Sequence, residues 1–121
     1  MNKPTLVIGA STNPTKYSHM ATMLLQEKGH TVYPSHPTEK VIHDLKVVND
    51  LKKFEAPIDT VTLYVRPEIL RDMLPDIIAL KPRRVVFNPG TEDDDSSARL
   101  KEAGIEVLQA CTLVLLKTNQ Y

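Results

Sequence analysis

The sequence is poor in the residues that staple or extend a fold: of 121 residues one is cysteine, four are glycine, two are phenylalanine and none is tryptophan. Cys111 has no partner for an intramolecular disulfide, and one thiol falls short of the roughly four ligands of a structural zinc site. Apolar runs stop at about four residues, as at Leu113–Leu116. Neither a membrane span nor the hydrophobic region of a secretion signal is present, so a cytoplasmic location is expected. Fifteen Lys and Arg balance fifteen Asp and Glu, giving zero formal net charge. That removes the broad attraction to phosphate on which nucleic-acid binders rely, though a local cationic site stays possible.

What is present is alternation. Short β-branched runs occur at Thr5-Leu6-Val7-Ile8, His30-Thr31-Val32-Tyr33, Thr60 to Val65, Arg84-Val85-Val86-Phe87 and Glu106-Val107-Leu108. Helically spaced segments lie between them. The first sets Tyr17, Met20, Ala21, Leu24 and Lys28 on one stripe and stops at Gly29. The second carries Ile69, Leu70, Met73, Leu74, Ile77 and Ile78, with Pro75 predicting a kink or a restart because it has no amide for the Arg71 carbonyl. The third starts near Thr91 as cap, sets Asp93, Asp94 and Asp95 in the positive first turn, and ends at Gly104. Strands alternating with helices predict an α/β fold over residues 1–121, a mostly parallel five-stranded sheet with right-handed crossovers and helices on both faces. Residues 37–57 are the irregular part, where His43–Val48 could add a short strand and Leu51, Phe54 and Ile58 could pack on the sheet.

In such sheets ligands collect at the carboxyl ends of the strands, and the loop after the first strand delivers an anion to a helix start. That loop reads Gly9-Ala10-Ser11-Thr12-Asn13-Pro14-Thr15-Lys16-Tyr17-Ser18. Gly9 permits the sharp turn, Ser11 and Thr12 bring hydroxyls, and Lys16 brings a cation, which together suit a pyrophosphate. The dinucleotide fingerprint G-x-G-x-x-G is absent, since Ser11 and Pro14 hold its second and third glycine places. The second strand ends Tyr33-Pro34-Ser35-His36 with no acid for the ribose hydroxyls of NAD, and no Walker pattern exists. Later strand ends add Val65-Arg66-Pro67, Asn88-Pro89-Gly90-Thr91-Glu92 and Ala110-Cys111-Thr112.

Together Gly9-Ala10-Ser11-x-Asn13-Pro14-x-Lys16-Tyr17-Ser18, Tyr33-Pro34-x-His36-Pro37, Tyr64-Val65-Arg66-Pro67 and Asn88-Pro89-Gly90-Thr91-Glu92 closely resemble the small stand-alone CoA-binding domain family. That family is similar in fold to the N-terminal domain of the succinyl-CoA synthetase α subunit, so the resemblance implies a three-layer Rossmann-like fold and CoA or acyl-CoA as ligand. It implies that Gly9, Ala10, Ser11, Asn13, Pro14, Lys16 and Tyr17 meet the CoA phosphates and ADP portion. Pro34 and His36 would lie at the second strand end, Val65 and Arg66 at the third, and Asn88 and Pro89 along the pantetheine path. The missing acid agrees, because the 3′-phosphate of CoA would be repelled by a carboxylate there. The synthetase reacts through a phosphorylated histidine on another domain, so the resemblance implies binding, without implying catalysis; the sequence shows no second cluster of hard oxygen ligands, and no metal site is expected.

Lys16 could be a solvated first-turn lysine, Arg66 could only pair with Glu68 or Asp94, and Cys111 could be an inert buried thiol. His19 and His30 read as structural, and His36 alone is set at the crevice. Two further functions remain open: a regulatory domain binding NAD(P), and a small acyl-CoA-dependent enzyme acting with a partner chain through Cys111 or His36. A protein partner or homo-oligomer is not indicated by the sequence.

Overall fold

The computed structural model describes all 121 residues. Strand β1 (Thr5–Ile8) leads to helix α1 (Tyr17–Glu27) and strand β2 (Val32–Ser35). A two-stranded hairpin follows, β3 (Val41–Ile42) with β4 (Leu45–Lys46), and then a 3-10 turn at Leu51–Lys53. The remainder runs β5 (Thr60–Leu63), α2 (Pro67–Leu80), β6 (Arg84–Phe87), α3 (Asp94–Glu102), β7 (Glu106–Gln109) and α4 (Thr112–Lys117). The main sheet is fully parallel in the order β2-β1-β5-β6-β7, and the expected α/β Rossmann-like architecture is what the chain adopts.

Strands buried on both faces need apolar or satisfied side chains throughout, and β1, β5 and β6 are buried at every position. Leu6 and Ile8 face the layer of α2 and α3, joining Leu70, Leu74, Ile77 and Leu100 in the larger core. Val7 faces the opposite layer, with Leu25 of α1 and Leu116 of α4. The chain therefore makes helix, sheet and helix layers. No helix is long and apolar enough to cross a membrane.

Two local expectations, on the buried face of α1 and on the cap of α3, are corrected. Helix α1 does not bury the stripe through Tyr17 and Met20, which are 70% and 39% exposed; it buries Ser18, Ala21, Thr22 and Leu25. The Thr22 hydroxyl donates to the Ser18 carbonyl, so it needs no acceptor from the sheet. Helix α2 runs through Pro75 without a restart and begins at Pro67, where a missing amide costs nothing. Helix α3 is capped by Asp93, whose carboxylate accepts from the Ser96 amide, while the Thr91 hydroxyl donates to the Asn88 carbonyl. Helix α4 was not expected, since its short apolar run was too brief to show a helical period; it packs on α1.

In the irregular region, the expected extra strand is a hairpin whose turn at His43 and Asp44 takes positive φ angles of 45° and 65°. Leu51 and Ile58 are buried and Phe54 packs against them, as the spacing suggested.

Candidate functional site

Successive strands leave β1 in opposite directions: β2 lies to one side of it and β5 to the other. At such a switch point the connections part to opposite faces of the sheet and a crevice opens beyond the strand ends. A crevice of about 790 Å³ lies there, within the usual range for small-molecule sites. It is lined by Gly9, Ala10 and Ser11 after β1, by Lys16 and Tyr17 at the start of α1, and by Ser35 and His36 after β2.

The β1 loop takes its shape from close approach and an internal bond set. Gly9 has φ of 87°, and a Cβ at this position would stand 2.7 Å from the Tyr64 carbonyl oxygen. The Gly9 and Ala10 amides donate to the Ser35 carbonyl. Further along, the Asn13 amide donates to the Ser11 hydroxyl, the Thr15 amide to the Asn13 side chain, and the Lys16 amide to the Asn13 carbonyl. The amides of Ser11, Thr12, Tyr17 and Ser18 find no acceptor in the chain, and no side chain caps α1. Ser11, Tyr17 and Ser18 line the crevice with Lys16, which makes no ion pair, at the positive end of the helix.

At the β2 end, His36 Nδ1 accepts from the backbone amides of Thr38 and Glu39, both at 3.1 Å. An accepting Nδ1 places the ring proton on Nε2, so the neutral imidazole carries one remaining donor. The far wall is built by α2 and residues 49–51, and it is different in character. Ile69 and Met73 form an apolar strip, flanked by Asp72, Asp76 and Asp50. Tyr64, just after β5, also lines the crevice, and burial pushes its phenol up to about 12.

The sequence matches the family described as CoA binding domain over residues 3–117. The chain belongs to the CoA-binding domain family. It is similar to an uncharacterized protein of known crystal structure at 35% identity and a TM-score of 0.94, covering 100% of this chain and 99% of that one. It is similar to the uncharacterized protein YneT of Bacillus subtilis (strain 168), 28% identical over 107 residues, which are 88% of this chain and 79% of that protein. An acetyl-coenzyme A synthetase of Ca. Korarchaeum cryptofilum shares the fold at 19% identity and a TM-score of 0.76, over 90% of this chain and 26% of that one.

Within this CoA-binding domain, the crevice gathers Gly9, Ala10, Ser11, Lys16, Tyr17, His36 and Val65 of the residues expected at a site. It does not gather the others. Asn13 spends its side chain holding the loop, and Pro14 is exposed beside it. Pro34 is buried within β2. Arg66 is 78% exposed and lies 4.0 Å from Glu68, the surface pairing that was its bland alternative. Asn88 is buried, donates to the Thr62 hydroxyl and the Leu63 carbonyl, and accepts from the Thr112 amide, so it ties β5 and β6 to the start of α4. Pro89 is exposed outside the crevice. Cys111 is half-buried immediately before α4.

The lining residues of α2 escaped the sequence reading. The signal was there in Ile69 and Met73, and in Asp72 and Asp76, two pairs spaced by four. The apolar pair merged with the neighbouring Leu70 and Leu74 stripe, which is the part that enters the core.

Proposed function

We propose that the crevice binds CoA or acyl-CoA, with the phosphates at the β1 loop and the start of α1, and that this chain acts as a binding module. The observation that carries this reading is the row of unpartnered amides at Ser11, Thr12, Tyr17 and Ser18 beside an unpaired Lys16, in a chain of the CoA-binding domain family. Phosphate oxygens are acceptors only, and this end of the crevice offers donors and positive charge.

The opposite wall orients the ligand. Asp50, Asp72 and Asp76 would repel a phosphate, while Ile69 and Met73 offer apolar surface to a flat or uncharged part. At the end of β2, the Nε2–H of His36 offers a donor to a ribose that carries phosphate.

Titration calorimetry with CoA, dephospho-CoA and NADH tests the reading. Saturable CoA binding below millimolar concentration is expected, with dephospho-CoA weaker and NADH weaker still. No saturable CoA binding by folded protein at millimolar concentration overturns it. Tighter binding of NADH than of CoA moves the function to a dinucleotide-sensing domain.

A further inference from the structure

One side chain bonded to the β1 loop belongs neither to the crevice lining nor to the core. His19, in the first turn of α1, places Nδ1 2.8 Å from the Ser11 carbonyl oxygen. A carbonyl only accepts, so Nδ1 carries the proton and donates, and it does so whether the ring is neutral or charged. The hairpin turn also approaches the ring: His43 stands edge-on to it with centroids 6.4 Å apart.

We infer that His19 is a positioning residue for the anion site, and that it locks the Ser11–Thr12 peptide so that its amide, and not its carbonyl, is presented to a bound phosphate. A trans peptide is planar and its C=O and N–H point in opposite directions. With the Ser11 oxygen drawn back to α1, the Thr12 N–H must point away from His19, and it is one of the amides with no acceptor in the chain. Every other constraint on this stretch acts elsewhere. The Ser11 hydroxyl holds the Asn13 amide, and the Asn13 side chain holds Thr15. Without His19, the peptide plane has no bond on either side, and a rotation of that plane would turn the negative end of its dipole toward the ligand phosphates.

This inference rests on the proposed CoA reading for its ligand, so its test has one arm that needs no ligand. Asparagine places its amide nitrogen close to the position of histidine Nδ1, whereas glutamine reaches the position of Nε2. In CoA titrations, His19→Leu is expected to bind about tenfold more weakly than the parent, His19→Asn to recover to within about threefold, and His19→Gln to stay weak. Melting temperatures show whether all three variants are folded, and His19→Asn against His19→Gln remains decisive if the leucine variant is not. In the ligand-free arm, the Thr12 amide resonance should shift or broaden in His19→Leu and return in His19→Asn. Parent-like binding and an unchanged Thr12 amide in His19→Leu overturn the inference. So does weak binding that asparagine fails to restore, which would make His19 a packing residue. If the parent itself binds no CoA, the functional proposal fails while the Thr12 resonance still decides the role of His19.

Discussion

The loops after β1 and after β6 leave the same end of the same sheet, and both are rich in Gly, Asn, Pro and Thr. They differ in where their polar groups go. After β6, Asn88 is consumed by three bonds inside the protein, Thr91 closes back on the Asn88 carbonyl, the Gly90 amide meets the Glu92 side chain, and Asp93 caps α3. After β1, the chain satisfies enough groups to hold its shape and leaves Ser11, Thr12, Tyr17 and Ser18 amides open. A buried group already paired has little to offer a ligand, and an open donor row next to a cation has a great deal. Two loops of like composition thus divide into one that fastens the fold and one that faces the crevice.

The largest expected effect breaks the fastening loop. Asn88→Ala removes the acceptor of the Thr112 amide and the donor to Thr62 and the Leu63 carbonyl, all buried. The loss should be about 4 kcal/mol of stability in denaturant titration. CoA affinity extrapolated to fully folded protein should be unchanged. A stable variant with weak CoA binding would place Asn88 on the ligand path and dissolve the contrast.

Next comes Gly9→Ala, which strikes the other loop at its tightest point. A methyl group 2.7 Å from a carbonyl oxygen, at φ of 87°, cannot be accommodated without moving the loop or β5. A cost of about 3 kcal/mol is expected, or a fall in Tm of roughly 10 °C, together with loss of CoA binding. Parent-like Tm would show that the loop is not held in the shape described.

These two residues also show what was legible in sequence. Gly9 stood out because a glycine after a buried strand signals a turn a side chain would block, and the alternation of β-branched runs with helical spacing was enough for the parallel sheet. Asn88 was legible as polar and near a strand end, but its partners Thr62, Leu63 and Thr112 are distant in sequence, and only folding reveals that they use it up. The same holds for α4, whose six residues carry too little period, and for the acidic wall, where Asp72 and Asp76 flank an apolar strip that runs beside the core stripe of α2. In the sequence His19 reads as structural; its bond to Ser11 depends on a loop geometry that no spacing rule encodes.

A smaller effect separates charge from scaffold within the crevice. Lys16→Ala should weaken CoA binding by about 1–2 kcal/mol while leaving Tm within about 2 °C, because its side chain is exposed and bonded to nothing in the chain. Arg66→Ala is the control and should change neither, since Arg66 lies outside the crevice and its contact with Glu68 is an exposed one. Equal loss in both variants would mean that the crevice attracts phosphate through diffuse charge, without a defined place for it.

The smallest effect concerns the fastening loop again, through Asp93. Its hydrogen bond from Arg71, then those from Ser96, hold the carboxyl well below the usual carboxylate range. A carboxyl depressed in the native state contributes stability above its unfolded value near 4, and loses that contribution as pH falls further toward the native value. Asp93→Asn keeps an acceptor for the α3 cap but abolishes the charge. Its Tm should therefore lie below that of the parent at pH 7, and the gap should close between about pH 4 and pH 2. Solvent screens this pair, because the Arg71 side chain is 52% exposed, so a gap of about 2 °C is the scale to resolve. A gap that does not vary with pH would show that Asp93 acts only as a neutral cap, and that the β6 loop is fastened by geometry without help from charge.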